Sequence, residues 1–203
     1  MNNTYLGKKV EGKASNTDLV YEEQTSSSGF FRIYIGDGLS ALSVCETGQV
    51  EAREIRDTNT ATVVKNIHAV INCAANEEPY KWMNTREGIL YSNVVCDEII
   101  TSFTADQAPD WSSSIALANF CRNIVSESLP TDVRDINMLI HSENGKNRSV
   151  VTAALIACIM GKGMDPRCEN IETCVKLIKM YHPSTDPTDI HKQWAQAVLN
   201  DIK

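Results

Sequence analysis

Ile136-Asn137-Met138-Leu139-Ile140-His141-Ser142-Glu143-Asn144-Gly145-Lys146-Asn147-Arg148-Ser149-Val150-Val151 is the stretch that decides how this chain is read. An apolar run, Ile136 to Ile140, enters it, and a run of small and apolar residues, Val150 to Met160, leaves it. The pattern predicts a strand, a tight loop and a helix N-terminus. That arrangement gathers backbone N–H groups and a partial positive charge at one point, where an oxyanion binds.

Each polar residue of the loop fits that reading. Glu143, Asn144, Gly145, Lys146, Asn147 and Arg148 supply the backbone that wraps an anion. Gly145 permits a close turn because it has no Cβ. Arg148, at the helix start, offers a planar fork for two oxygens at once, which Lys does poorly. Lys146 adds positive potential at the rim, and the Ser149 hydroxyl is placed to bond the side chain at 142. Gly-x-x-Arg-Ser alone occurs in many strand-turn-helix connections. The conjunction of His141, a small polar residue at 142, Gly145, Arg148 and Ser149 between a strand and a helix is far more specific.

Outward from the loop, strands alternate with helices. Phe30 to Ile35 and Ile67 to Ala74 read as strands, as do Ile89 to Val95 and Ile136 to Ile140. Leu39 to Val44 reads as a short helix, and Glu46 to Ala61 as a polar connector with room for a hairpin. Ser112 to Ser126, Ser149 to Gly161, Asn170 to Tyr181 and Thr188 to Ile202 read as helices. The expected architecture is α/β, with a mostly parallel central sheet flanked by helices on both faces. Residues 1–28 are polar and read as an N-terminal extension, leaving 29–203 as the domain.

Composition bounds the rest. A 203-residue chain with 42% hydrophobic and 22% charged residues builds one core. A net charge of -7 gives it no general attraction for nucleic acid or anionic membrane. The seven cysteines are odd in number and show neither Cys-x-x-Cys pairs nor zinc spacing, so neither a disulfide framework nor a metal is expected, and no cofactor is implied. A reducing cytoplasm or nucleus follows from that usage. No apolar run is long enough to span a bilayer, so membrane insertion is not expected. His182 and His191 lack ligand spacing and are expected to pack or to face solvent.

His141-Ser142 followed by five residues and Arg148-Ser149 resembles the signature of the cysteine-dependent protein phosphatases, with Ser142 where the family has its nucleophilic cysteine. Ile33-Tyr34-Ile35-Gly36-Asp37, Ile67 to Ala74, Ile89 to Asp97, Tyr181-His182-Pro183 and Gln193 to Leu199 extend the likeness to the small dual-specificity class. The resemblance implies phosphoprotein substrates or partners, with phosphotyrosine or phosphoserine/threonine. It implies that Arg148 and the loop backbone hold phosphate and that His141 orients the loop. It also implies that Asp97, directly after the Ile89 to Val95 strand, is the general acid, with Asp106 and Asp110 as alternatives. A serine hydroxyl is far less acidic than a cysteine thiol, and the loop does not ionise it without a base. The expectation is therefore a phosphate-binding pseudophosphatase, dead or nearly so. The alternative is an active dual-specificity phosphatase presented as a Cys-to-Ser trapping variant.

Overall fold

Along the central strands alternate side chains enter opposite apolar clusters, and this sets the layering. In the strand Ile136–His141 all six residues are buried. Met138 and Ile140 enter one apolar cluster, and Leu139 enters the other. A strand buried on both faces needs cover on both faces, and the helices supply it.

The structure is a computed structural model and describes residues 16–24, 29–56, 59–73, 97–100, 119, 135–161 and 166–202. In chain order the elements are β1 (Asp18–Gln24), β2 (Phe30–Gly36), α1 (Gly38–Thr47), β3 (Gln49–Arg56), β4 (Asn59–Asn66), β5 (Ala69–Asn72), β6 (Asp97–Ile100) and β7 (Ile136–His141). They are followed by α2 (Arg148–Met160), a short 3₁₀ turn (Pro166–Cys168), α3 (Ile171–Tyr181) and α4 (Asp189–Ile202). The strands form one seven-stranded sheet in the order β4-β3-β1-β2-β7-β5-β6. The centre is parallel, β2–β7–β5–β6, and β1–β3 is parallel too, whereas β1–β2 and β3–β4 are antiparallel. The α/β sheet expected from the sequence is present, mostly parallel, with helices on both faces.

On one face Ile33, Ile35, Ile71, Met138 and Ile140 pack with α2, α3 and α4. Across the sheet Tyr34, Val70 and Leu139 pack with Ala41 and Val44 of α1. Helix α2 is the most deeply set: every residue from Ser149 to Cys158 is buried, as its small residues require for close approach to the sheet. Its first turn starts directly behind the loop. Asp37 caps α1 through the Ser40 N–H, so the β2–α1 turn lies fixed beside the same loop.

Three sequence expectations are corrected. The polar extension does not run to residue 28, because Asp18–Gln24 is an interior strand paired with both β2 and β3. Its pattern hides this: Asp18 is buried at 4% exposure and neutralised by partners far along the chain. The connector after α1 is a full hairpin that reaches Asn66, with mostly exposed residues on its edge strand. Asp97 is not a loop residue beside the Ser142 to Asn147 loop. It is the first residue of β6, level with Ala69 and Met138, whereas Ile100 is level with Asn72 and His141. Three strand residues, about 10 Å, separate Asp97 from the loop's end of the sheet. The predicted strand Ile89 to Val95 lies outside the described residues. So does the predicted helix Ser112 to Ser126, apart from Asn119, which is helical. Among the described residues no helix is long and apolar enough to cross a membrane.

Candidate functional site: a phosphate-type loop at the end of β7

Residues Ser142 to Asn147 join the C-terminal end of β7 to α2 at the carboxyl edge of the parallel strands, the edge where open α/β sheets place their ligands. Gly36 of β2 and Asn72 of β5 flank His141 in register. The loop closes against that edge: the Ser142 N–H donates to the Gly36 carbonyl at 3.4 Å, and the Cys73 N–H donates to the His141 carbonyl at 2.8 Å.

Gly145 is required twice over. Its φ of +71° lies in the left-handed region, and a Cβ there would stand 3.0 Å from the Gly36 carbonyl oxygen. The loop folds over the position 142 side chain as a result. Ser142 is 1% exposed, and its Oγ accepts from the Gly145 N–H at 3.2 Å and lies 3.1 Å from the Ser149 Oγ. A buried backbone donor and a buried hydroxyl therefore converge on the side-chain atom at the floor of the loop.

Arg148 opens α2 with its side chain 12% exposed, and its Nη2 lies 3.8 Å from Glu143 Oε2. That separation is too long for a hydrogen bond, and Glu143 is itself 73% exposed, so the pair is a loose ion pair. Asn144 and Lys146 are exposed, and Asn144 Oδ1 accepts from the Lys146 N–H at 3.3 Å. Burial alone drives the pKa of His141 down to about 4, so its ring is neutral at pH 7. Among the described residues the hydrogen-bond partners of Ser142 Oγ are Gly145 N and Ser149 Oγ, and neither is a base.

The outer side of the loop is held by the C-terminal part of the chain. The Gly145 carbonyl is 2.9 Å from His182 Nε2, and the Lys146 carbonyl accepts from the Asp186 N–H at 2.8 Å. Asn147 Oδ1 accepts from the Thr188 N–H at 3.1 Å and lies 3.0 Å from His191 Nδ1. In a trans peptide the C=O and the following N–H point to opposite sides. Pulling the carbonyls of Gly145 and Lys146 outward therefore turns the N–H groups of Lys146 and Asn147 the other way. The bracing fixes the direction of these two N–H groups.

Sequence reasoning placed His141, Ser142, Glu143, Asn144, Gly145, Lys146, Asn147, Arg148 and Ser149 in one loop, and the structure brings them together there. It does not bring Asp97 to the loop, and Asp106 and Asp110 lie outside the described residues. His182 and His191, expected to pack or face solvent, are buried and tied to the loop. No signal within reach of either histidine announces this, since the partner of His182 on β1 is Asp18, 164 positions away.

No protein-family model and no curated protein matches the sequence. Solved structures do match the fold. PTPMT1 is similar with a TM-score of 0.51 at 11% identity, over 90% of this chain and 96% of that one. A leucine-rich-repeat and phosphatase-domain protein from Entamoeba histolytica gives 0.50 at 9% identity, over 91% and 92% of the two chains. Human DUSP28 gives 0.46 at 14% identity, over 91% and 94%. The chain has the α/β fold shared by PTPMT1 and the Entamoeba histolytica phosphatase-domain protein.

Proposed function

We propose that the chain is a phosphate-recognising, phosphatase-like protein that binds phosphorylated protein and turns it over negligibly or not at all. The observation that carries this reading is the Ser142 Oγ at the floor of the loop, hydrogen-bonded by Gly145 N–H and next to the Ser149 hydroxyl. Those donors suit an atom that carries negative charge. A cysteine thiol at the same place ionises under their influence and attacks phosphorus. A serine hydroxyl needs a base to remove its proton, and its two partners are a donor and another hydroxyl. Anion binding asks for less: the loop backbone, the start of α2 and the Arg148 fork are in place.

A second reading is favoured by the same geometry. Among the described residues the partners of position 142 are those a thiolate would use: the Ser149 hydroxyl lies beside it and the Gly145 N–H donates to it. That is the arrangement of an active dual-specificity phosphatase in which one cysteine is exchanged for serine. In that enzyme the leaving oxygen takes a proton from a carboxylic acid. Asp97 starts its strand at the far end of the sheet, and the parallel β6 delivers the chain to the loop's edge only after Ile100. For the acid we propose Asp106 or Asp110, the two alternatives that the sequence offers beside Asp97.

The test is a paired assay of the chain and Ser142→Cys on phosphotyrosine and phosphothreonine peptides, with peptide binding measured alongside. The expected result is saturable phosphopeptide binding by the Ser142 form without turnover. Hydrolysis by the Ser142 form clearly above background sinks the binding-module reading. If Ser142→Cys turns over, Asp106→Asn and Asp110→Asn in that form identify the acid by which one depresses kcat.

A further inference from the structure

His182, just past the C-terminal end of α3, is 2% exposed and makes contacts through both ring nitrogens. Nδ1 is 2.5 Å from Asp18 Oδ2, and Nε2 is 2.9 Å from the Gly145 carbonyl oxygen. A backbone carbonyl only accepts. Asp18 is itself gripped by both arms of Arg53, Nε at 2.7 Å and Nη2 at 2.9 Å, the geometry of an ionised carboxylate. Asp18 and the Gly145 carbonyl are therefore both acceptors. A neutral imidazole has one N–H and satisfies one of them, whereas an imidazolium satisfies both.

Ser184 completes the logic. Its Oγ lies 3.0 Å from the same Nε2. If the ring loses its Nε2 proton, Ser184 can turn and donate to that nitrogen, while Nδ1–H stays on Asp18. The Gly145 carbonyl then loses its donor. The ring proton thus decides whether the loop is tied to β1. Among the described residues the groups that face the ring come from each element packed on it. They are Asp18 on β1, Arg53 on β3 acting through Asp18, the Gly145 carbonyl in the loop, and the Ser184 hydroxyl in the turn after α3.

We infer that His182 is a positioning residue, held as an imidazolium between Asp18 and the Gly145 carbonyl, that locks the loop's donor array and places a buried positive charge behind the anion. The inference rests on the phosphate-site reading above and names the residue that makes that site's affinity depend on pH. The charge acts at short range through protein rather than water, so it is felt by the anion more than a surface lysine is.

The experiment uses the whole chain, labelled with ¹⁵N-histidine, and sulfate, a dianion whose charge does not change across the range studied. At about pH 6.5 the His182 ring, assigned by its absence in His182→Gln, is expected to show both nitrogens protonated before any anion is added. Sulfate affinity is then measured from about pH 6 to about pH 8.5 in wild type, His182→Gln and Asp18→Asn. Gln keeps a donor for Gly145 without the charge. It is expected to bind sulfate roughly fivefold to tenfold more weakly at about pH 6.5, with a flatter pH profile. Asp18→Asn shifts in the same direction, and thermal melts identify any variant that has lost its fold. A singly protonated His182 ring at about pH 6.5, or a His182→Gln profile that superposes on wild type, overturns the inference. Absence of sulfate binding by wild type overturns instead the phosphate-site reading and the tuning that depends on it, and the ring signature then decides the Asp18–His182–Gly145 tie alone.

Discussion

The two sides of one loop are built on opposite principles. Its inner side takes everything from nine consecutive residues, His141 to Ser149: the floor atom of Ser142, the turn at Gly145, the fork of Arg148 and the hydroxyl of Ser149. Its outer side is assembled from β1 and from the segment after α3, through Asp18, His182, Asp186, Thr188 and His191. The inner side carries the chemistry and the outer side fixes the geometry. An anion site of backbone donors needs both, because an N–H has a direction only if its own carbonyl is held.

The largest expected effect comes from breaking the inner side. Arg148→Ala removes the guanidinium fork and leaves the loop backbone and its outer ties untouched. Anion or phosphopeptide affinity is expected to fall by about 100-fold. The Arg148 side chain is 12% exposed, so a melt of the variant separates lost stability from lost affinity. Calorimetric titration of phosphopeptide together with a thermal melt checks both. Equal affinity in wild type and variant removes the phosphate site from the inner side altogether.

The inner side was legible because its residues are contiguous and each is chosen for a local reason: positive φ at 145, a fork at 148, small residues where α2 approaches the sheet. The central strands were legible for a related reason, since β2, β5 and β7 are buried on both faces and read as mostly apolar runs, interrupted only by Arg32 in β2 and by Asn72, Asn137 and His141 in β5 and β7. β1 was not, because burial of Asp18 is made tolerable by Arg53 and His182, which lie 35 and 164 positions away. A polar residue whose partner is remote looks like a surface residue. The same blindness left His182 and His191 as residues that merely pack or face solvent, with no tie to the loop, and placed Asp97 at the loop. For Asp97 only the strand register shows that it starts β6 at the opposite end of the sheet.

A second test sharpens the comparison through protons. His141 ends β7 just beneath the inner side, and burial lowers its pKa from 6.5 to about 4. The unfolded chain accepts a proton on this ring as pH falls through 6.5, while the folded chain refuses it until about 4. Its effect on stability is therefore absent above the unfolded value and grows as a loss through that window, about 2 kcal/mol by about pH 5. His68, also lowered by burial, contributes with the same sign. Urea unfolding at about pH 7 and about pH 5 is expected to show the loss, and His141→Asn is expected to shrink it. A pH-independent stability in wild type shows that the ring under the loop is not held neutral.

The smallest expected effect isolates the outer side. Asn147 belongs to the loop by sequence but faces its bracing: its Oδ1 takes the Thr188 N–H and meets His191 Nδ1. Asn147→Ala removes that oxygen while the backbone N–H at 147, the part expected to meet an anion, stays. His191 keeps the Thr188 Oγ1 at 3.0 Å, so no buried ring is stranded. The cost is then about 1 kcal/mol of stability, the ordinary value of a lost hydrogen bond, with faster amide exchange at Thr188. If the bracing sets the donor array, anion affinity falls too, by roughly twofold to threefold, because the N–H directions loosen without any donor being lost. Lower stability with unchanged affinity means that the outer side only joins the tail to the domain. The division of labour between the two sides then rests on the Gly145 and Lys146 carbonyls alone.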